Sequence, residues 1–301
     1  MLIRDRVISA ALFSLLAVGG PFAQSAAITT DPTPEKAAPA AMQSFQLPSH
    51  GALLNAFVYI ASGAGPHPVV LLLHGFPGNE RNLDLAQVLR RAGYDVLYFN
   101  YRGSWGSPGN FSLGNSIEDT VAAIAYMRVP ANAAKFRADP KKIVLVGHSM
   151  GGFMALNAGA QDAAVSGIIT ISAGDMATRR LGSVPAAGRD AAVKAVGQHF
   201  AAEGMAPLAG CTPEGIALEA YENSAKWNFV SLAPKLASRP MLVITSDDGL
   251  KTASDELVAA LHSLGDVQVK TAHIADDHAY SASRITLAQQ VVDGLAAMHL
   301  Q

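Results

Sequence analysis

Near the middle of the chain, residues 143–151 read IVLVGHSMG. Four β-preferring or apolar residues lead directly into the pattern G-x-S-x-G at 147–151, and a helix rich in small residues is predicted over Gly152–Ala160. A serine on such a sharp turn from strand to helix is held in a strained conformation, with its hydroxyl exposed at the edge of the sheet. The start of the helix directs backbone amides and a partial positive charge to the same place, so the stretch predicts Ser149 as a nucleophile.

On both sides of this stretch, from about Phe45 onward, short apolar segments of strand character alternate with longer segments of helical period. Helices between strands imply parallel pairing, with both faces of the sheet covered. The sequence therefore predicts an α/β fold with a mostly parallel central sheet, whose ligands are expected beyond the carboxyl ends of the strands. Strands are predicted at Leu53–Ile60, Val69–Leu73, Val96–Tyr101, Ile143–Val146, Ile168–Ser172, Met241–Thr245 and Val267–Thr271, and further helices at Leu83–Ala92, Ile117–Met127, Ala253–Leu264 and Arg284–Met298.

One connection in this pattern is too long for a simple crossover between parallel strands. It covers about residues 175–238, where a single helix would need only a fraction of that length. Helical patterns at Ala191–Ala202 and Pro213–Tyr221, together with the aromatic residues Trp227 and Phe229, favour a folded insertion over a long disordered loop. We expect a small helical cap over the carboxyl edge of the sheet.

The N-terminus has the pattern of a secretory signal at residues 1–27. Two arginines precede the apolar stretch Val7–Val18, and small residues allow cleavage after Ser25 or Ala27. The apolar stretch is shorter than the roughly 20 residues that span a bilayer, so a retained membrane anchor is the weaker interpretation. The prediction is an exported protein, periplasmic or secreted, without stable membrane insertion after signal cleavage.

A segment rich in Pro, Ala and Thr follows the signal and is predicted to be a disordered linker at residues 28–43. The rest, residues 44–301, is long enough for one large domain that includes the cap.

The chain has 24 acidic and 22 basic residues and a formal net charge of −2, so a nucleic-acid partner is not expected. With Cys211 as the one cysteine, no intramolecular disulfide and no Cys-based metal site can form. Oligomeric state is not indicated.

A serine hydroxyl needs a base that removes its proton, and that base is normally a histidine held by a carboxylate. The order expected for this architecture is serine, then acid, then histidine. His278 fits best because it follows the last predicted strand and precedes the last helix. His273, at the end of that strand, and His299, in the terminal helix, are expected to face solvent or to pack.

The acid is expected just after a strand that lies between the serine and the histidine in sequence. Asp247 and Asp248 both follow the strand Met241–Thr245, and their side chains should diverge. We favour Asp248 and keep Asp247 as the alternative. Asp175 is a third candidate, because it follows the preceding strand and an acid there can reach the same imidazole.

Two backbone amides are expected to bind the oxyanion that develops on the substrate. One is the amide of Met150, directly after the serine. The other is that of Phe76 in the loop HGFPG at 74–78, whose glycines let the backbone approach the nucleophile. His74 in this loop is interpreted as a structural side chain that ties the loop down, and the loop Tyr101–Gly106 as part of the pocket rim.

With these features, the chain from about Phe45 onward resembles the α/β-hydrolase superfamily. Within it, the sequence is similar to serine aminopeptidase, dienelactone-hydrolase and acyl-peptidase-like proteins, on the motifs NYRG at 100–103 and Asp277-His278. The resemblance implies a catalytic triad of Ser149, Asp248 and His278, with oxyanion donors at Phe76 and Met150. The serine at the elbow disfavours members with a Cys or Asp nucleophile.

The predicted reaction is acyl transfer to Ser149, and it requires no metal and no organic cofactor. A small-molecule carboxylic ester is the first choice of substrate, and a short peptide or acyl-amide is the second. An acidic pair in the cap would favour an aminopeptidase, but four glutamates of this region look like parts of solvated helix faces. They are Glu203, Glu214, Glu219 and Glu222. A hypothesis of another class is a noncatalytic ligand-binding module that keeps the fold.

Overall fold

The computed structural model describes residues 22–178 and 188–300. Most of the predicted signal and the first part of the predicted cap, residues 179–187, lie outside the described residues. The strands are β1 Ala41–Ser49, β2 Ala52–Ile60, β3 His67–Leu73, β4 Asp95–Phe99, β5 Ala138–His148, β6 Gly167–Ile171, β7 Met241–Thr245 and β8 Val269–His273. The α-helices are α1 Phe22–Thr29, α2 Leu83–Arg91, α3 Leu113–Arg128, α4 Pro130–Ala133, α5 Met150–Gly159, α6 Arg189–Glu203, α7 Pro213–Glu222, α8 Ser224–Trp227, α9 Phe229–Leu236, α10 Lys251–Ser263 and α11 Arg284–Ala296.

The strands form one eight-stranded sheet in the order β1-β2-β4-β3-β5-β6-β7-β8. The first hairpin is antiparallel, β2 pairs antiparallel with β4, and the remaining pairs are parallel. The prediction of a mostly parallel α/β sheet is therefore confirmed. The middle strands β3, β4, β6 and β7 are buried throughout, which explains why their sequences are mostly apolar and do not alternate.

Helices cover both faces of the sheet and divide the core in two. One face packs against α3, α5, α9 and α10, and the other packs against α2 and α11. Each layer buries Val, Ile, Leu and aromatic side chains, whose removal from water contributes about 25 cal/mol per Å² of apolar surface. The sheet is thus a fixed base for the loops at its carboxyl edge.

The N-terminal boundary differs from the sequence prediction. The strand β1 begins at Ala41, inside the segment 28–43 that the composition predicts to be a disordered linker. Its residues are mostly exposed, so the alternation that would reveal a strand is weak, and the pairing of Ala41 with Ile60 comes from the neighbouring strand. Helix α1 spans the end of the predicted signal, where Ala27 is buried and its carbonyl accepts a 2.6 Å hydrogen bond from Nε of Arg91.

The last strand begins two residues later than predicted. Val267 is 88% exposed and precedes β8, which runs from Val269 to His273. The carboxylate of Asp266 accepts hydrogen bonds from the amides of Ser238 and Gln268. The chain forms a turn at these residues, so the strand begins after them. As a result, His273 pairs with Thr245 at the carboxyl edge of the sheet.

Helices α6 to α9 lie between β6 and β7, where the sequence predicts a cap. The carboxylate of Glu219 on α7 accepts hydrogen bonds from the amides of Leu113 and Gly114 at the start of α3, at 2.8 and 3.0 Å. Negative charge at a helix N-terminus is favourable, so this contact fastens α7 to the main domain. The segment before α7 is attached as well, because Ser104 and Leu208 form a β-bridge.

Candidate active site

Ser149 stands at the turn between β5 and α5 with φ 57° and ψ −123°. This conformation is costly for a residue with a side chain and persists only where the surroundings enforce it. Here the amide of Ser149 donates to the carbonyl of Ile171 at 2.9 Å, and its carbonyl accepts from the amides of Gly152 and Gly174. The turn is therefore fixed on both sides by backbone hydrogen bonds.

The glycines around the serine are required by close packing. A Cβ on Gly147 would collide with the backbone of Gly151, and one on Gly151 would collide with the carbonyl of Leu73. A Cβ on Gly75 would lie 2.9 Å from Cβ of Ser149. The loop after β3 is thus in contact with Ser149, as the glycine pattern predicts.

His278 and Asp248 meet at the carboxyl edge of the sheet. Nδ1 of His278 lies 2.6 Å from Oδ2 of Asp248, which fixes the proton of the neutral ring on Nδ1. The other carboxylate oxygen accepts a 2.9 Å hydrogen bond from the amide of Leu250. The side chain of Asp248 is 4% exposed, whereas that of His278 is 40% exposed, so the imidazole is accessible and its partner is not.

The charge on Asp248 is stabilised by its neighbours. Burial alone would raise the pKa of this carboxyl, but the hydrogen bonds from His278, Leu250 and Ser172 outweigh it and lower the pKa to about 2. Asp248 is therefore ionised at neutral pH, as a carboxylate that orients an imidazole must be.

A buried hydroxyl network lies beside this carboxylate, and sequence reasoning did not find it. Oγ of Ser172 lies 2.8 Å from Oγ of Ser246 and 2.7 Å from the hydroxyl of Tyr280. Ser172 and Tyr280 both have positive φ, at 42° and 56°. Their one signal in the sequence is position, since Ser172 follows β6 and Tyr280 comes two residues after His278.

The two alternative acids point elsewhere. Asp247 is an exposed residue whose Oδ1 lies 3.2 Å from Nε2 of His273, so this pair forms a surface contact. Asp175 is buried, and it accepts hydrogen bonds from the amides of Ala177, Thr178 and Phe229. Burial raises the pKa of Asp175, and its oxygens serve to anchor the start of α9. The structure thus brings Asp248, among the three, to the imidazole of His278.

The two predicted oxyanion donors are adjacent to Ser149. Met150 is the first residue of α5, so its amide has no partner within the helix, and Phe76 directly follows the glycine that contacts the serine. Among the described residues, neither amide donates to a backbone carbonyl. The Phe76 ring packs on Phe111 and on Phe200 of the cap, with ring centroids 5.9 and 5.1 Å away.

Side chains outside the loop at 74–78 hold it in place. Nε1 of Trp105 donates a 2.8 Å hydrogen bond to the carbonyl of Pro77. His74 is buried, its Nδ1 lies 2.9 Å from the carbonyl of Gly75, and its ring packs on Tyr101. Burial lowers the pKa of His74 to about 4, so the ring is neutral and has the structural environment expected for it. The 101–106 loop thus supports the loop at 74–78 through Trp105 and Tyr101.

Arg102 anchors this supporting loop to α3. Its backbone amide and its Nε each donate a 2.7 Å hydrogen bond to the carboxylate of Asp119, which is fully buried. Oγ of Ser49 donates to the same carboxylate at 2.6 Å. Burial raises the pKa of Asp119, and these three donors offset part of that effect. The arginine of the NYRG motif is thus a structural residue in this chain.

His148, directly before the serine, contacts His278. Its Nε2 lies 2.8 Å from the backbone carbonyl of His278, and the two rings are 4.7 Å apart. Burial, together with the nearby His278, lowers the pKa of His148 to about 4. Nε2 therefore donates to the carbonyl from a neutral ring.

A cleft of about 400 Å³ opens over Ser149 and His278. Of the four glutamates considered from the sequence, Glu203 lines this cleft, where its carboxylate lies 2.6 Å from Nε2 of His199. Glu80, in the loop after β3, lines it as well. Glu222 forms an exposed ion pair with Arg189, as expected for a solvated helix face.

The described residues, 22–178 and 188–300, include no group of three or more His, Cys, Asp or Glu side chains that is arranged to hold a metal ion. Over the same ranges, no helix is both long and apolar enough to cross a membrane. Cys211 is partly buried, and burial raises the pKa of its thiol.

Comparison with curated proteins gives partial matches. Lysophosphatidylserine lipase ABHD12 of Danio rerio is 33% identical over 102 residues, which are 33% of this chain and 25% of that protein. The chain spans between 25% and 44% of the length of the first three curated relatives that it matches.

Solved structures match over most of the chain at low identity. The thermostable carboxylesterase EstE1, cloned from a metagenomic library, has a TM-score of 0.60 and 21% identity, and the match covers 90% of this chain and 92% of that one. An acylaminoacyl peptidase of Pyrococcus horikoshii has a TM-score of 0.61 and 19% identity, with 84% of this chain and 41% of that one covered. These similarities show a common fold.

The family follows from a match that is independent of any single relative. The sequence profile of the alpha/beta hydrolase family covers residues 70–289, from within β3 to α11, and so includes Ser149, Asp248 and His278. The eight-stranded sheet and its turn at Ser149 agree with that match. The chain therefore belongs to the alpha/beta hydrolase family.

Proposed function

We propose that this protein is a serine hydrolase that cleaves a carboxylic ester through an acyl-enzyme on Ser149. The observation that carries the proposal is the 2.6 Å contact between Asp248 and His278 at the same cleft that Ser149 lines in its strained turn. Ser149, an imidazole oriented by a carboxylate, and that carboxylate thus share one cleft, and this supports the proposal because these are the groups required for serine-dependent acyl transfer.

In this mechanism, Nδ1 of His278 is held by Asp248, so Nε2 is the basic nitrogen. Nε2 takes the proton of Ser149 as Oγ attacks the ester carbonyl, and the amides of Phe76 and Met150 bind the oxyanion. The alcohol leaves with the proton from Nε2, and the acyl group remains on Oγ. Water then attacks the acyl-enzyme, gives its proton to Nε2, and the acid is released as Oγ recovers a proton.

The comparisons support an ester as the first choice. A curated relative is named a lipase, and a solved structure with the same fold is a carboxylesterase. An alkoxide is also a better leaving group than an amide anion, so cleavage of an ester depends less on protonation of the leaving group than cleavage of an amide does.

A peptide or acyl-amide is the second candidate, and one observation favours it. The carboxylates of Glu203 and Glu80 line the cleft, and such groups attract the free amine of a peptide. The acylaminoacyl peptidase among the solved structures shows that this fold is also used by a peptidase. In this case His278 would protonate the leaving amine.

Steady-state kinetics on two matched substrate series tests the proposal. The purified protein is assayed with p-nitrophenyl acyl esters and with aminoacyl p-nitroanilides, beside Ser149→Ala and His278→Ala. We expect the esters to give the higher kcat/KM and both variants to lose at least about 10³-fold in kcat. Faster anilides would establish the peptidase, and wild-type turnover in Ser149→Ala would contradict the mechanism. Folded wild-type protein that hydrolyses neither series would favour the noncatalytic binding module.

We also propose that the protein is exported, on the basis of the signal pattern at residues 1–27. Fractionation of the producing cell and N-terminal sequencing test this. The expected mature chain starts at Ala26 or Ile28 and is found outside the cytoplasm, whereas a cytoplasmic protein that retains residues 1–27 would contradict it.

A further inference from the structure

His148 contacts His278, but it has no role in the mechanism above. His148 is 3% exposed and is the last residue of β5, while Ser149 is the next residue in the chain. Its Nε2 lies 2.8 Å from the carbonyl oxygen of His278, and the two imidazole rings have centroids 4.7 Å apart with 36° between their planes. His148 therefore holds both the backbone and the ring of the residue proposed as the base.

This contact couples two parts of the site that are far apart in sequence. His278 belongs to the loop between β8 and α11, 130 residues after His148. The elbow itself is rigid, because the amide of Ser149 is bonded to the carbonyl of Ile171. A side chain on the residue before the nucleophile thus sets the position of the loop that carries the base.

The chemical state of His148 suits this role. Its burial and the neighbouring His278 hold the pKa of His148 at about 4, so the ring is neutral and Nε2–H is the donor to the carbonyl. Nδ1 is a lone-pair atom that has no hydrogen-bond partner among the described residues. A neutral ring adds no repulsion when His278 becomes positively charged on taking up the serine proton.

We propose that His148 is a positioning residue, which holds His278 at the distance from Ser149 that proton transfer requires. The proposal rests on the function proposed above. Its effect should fall on kcat, because the contact of His148 is with the base, whose backbone carbonyl and ring it holds. A displacement of about 1 Å in a catalytic group can cost about 10²-fold in rate.

Three substitutions separate the parts of the contact. His148→Gln retains an N–H donor at about the distance of Nε2, His148→Asn has the same amide on a side chain too short to reach the carbonyl, and His148→Phe keeps the ring and loses the donor. We expect kcat for p-nitrophenyl esters to fall about 10- to 100-fold in His148→Phe and His148→Asn, with KM within about twofold of wild type. The kcat of His148→Gln should be at least about tenfold higher than that of His148→Asn.

The pair of amide variants keeps the test decisive if His148→Phe fails to fold. Equal kcat values in His148→Gln and His148→Asn would overturn the proposal, and so would a loss that appears in KM alone. Wild-type kcat in a folded His148→Phe would overturn it as well. Failure of the proposed function is a different result, in which the wild-type protein itself shows no hydrolysis that depends on Ser149.

Discussion

The hydroxyl of Tyr280 lies 2.7 Å from Oγ of Ser172, across 108 residues of sequence and beside the carboxylate of Asp248. Both residues are buried and both have positive φ, so the fold maintains two unfavourable backbone conformations to keep this contact. Tyr280 and the contact with His148 thus both help to attach the loop that carries His278.

Removal of the Tyr280 hydroxyl should weaken the support of the acid. We expect Tyr280→Phe to lower kcat about fivefold, which corresponds to about 1 kcal/mol for one lost hydrogen bond. Tyr94→Phe is the matched control, because the Tyr94 hydroxyl is buried without a hydrogen-bond partner among the described residues. Steady-state kinetics of both variants check this, and an equal kcat in the two would contradict it.

Two neighbouring carboxylates should differ strongly in their effect on turnover. Asp248→Asn removes the charge that orients and stabilises the imidazole of His278, and kcat should fall about 10³- to 10⁴-fold. Asp247→Asn changes an exposed contact with His273 and should leave kcat within about twofold. A loss of kcat in Asp247→Asn that exceeds the loss in Asp248→Asn would show that Asp248 is not the acid.

The carboxylates of the cleft should select against anionic substrates. Glu203→Gln removes one negative charge, so we expect the ratio of kcat/KM for a succinate monoester to that for a butyrate ester to rise about fivefold, or about 1 kcal/mol. Glu222→Gln is the control, since Glu222 forms an exposed ion pair with Arg189 on the outside of the cap. An unchanged ratio in Glu203→Gln would show that this charge does not act on the acyl group.

A buried carboxyl remote from the cleft should make stability depend on pH. Asp95 is fully buried, and desolvation raises its pKa from 3.8 to about 7, although the Ala61 amide and Arg137 oppose this. The folded state therefore holds a proton that the unfolded state has released. The stability contributed by Asp95 is full below about pH 4 and is lost as the pH rises to about 7, at up to about 1.4 kcal/mol per pH unit.

Denaturant unfolding of wild type and Asp95→Asn at pH 5, 6, 7 and 8 measures this contribution. As the pH rises, the free energy of unfolding of wild type should fall relative to that of Asp95→Asn, and the difference between the two should level off above about pH 7. A difference that is constant across this range would contradict the assignment.

The sequence predicted the elements in which local pattern and burial agree. The strand Met241–Thr245 was placed correctly because it is buried on both faces and reads as a continuous apolar run. The turn at Ser149 was found because its glycines are required by backbone contacts that no other residue allows.

The sequence was less informative about elements and contacts that depend on residues far apart in the chain. The strand β1 is mostly exposed, so its pattern does not differ from that of a linker. Helix α9 was not predicted, because its start is fixed by a hydrogen bond from the Phe229 amide to Asp175, a residue 54 positions earlier in the chain. The contacts of His148 and Tyr280 were also missed, since both join residues more than 100 positions apart.

The central claim is that Ser149 is the nucleophile, and covalent labelling tests it most directly. The mature protein is treated with a fluorophosphonate probe, and the modified peptide is identified by mass spectrometry, beside Ser149→Ala and Asp248→Asn. We predict one adduct per chain on Ser149, slower labelling in Asp248→Asn, and none in Ser149→Ala. Folded wild-type protein that remains unlabelled, or an adduct that persists in Ser149→Ala, would contradict the account.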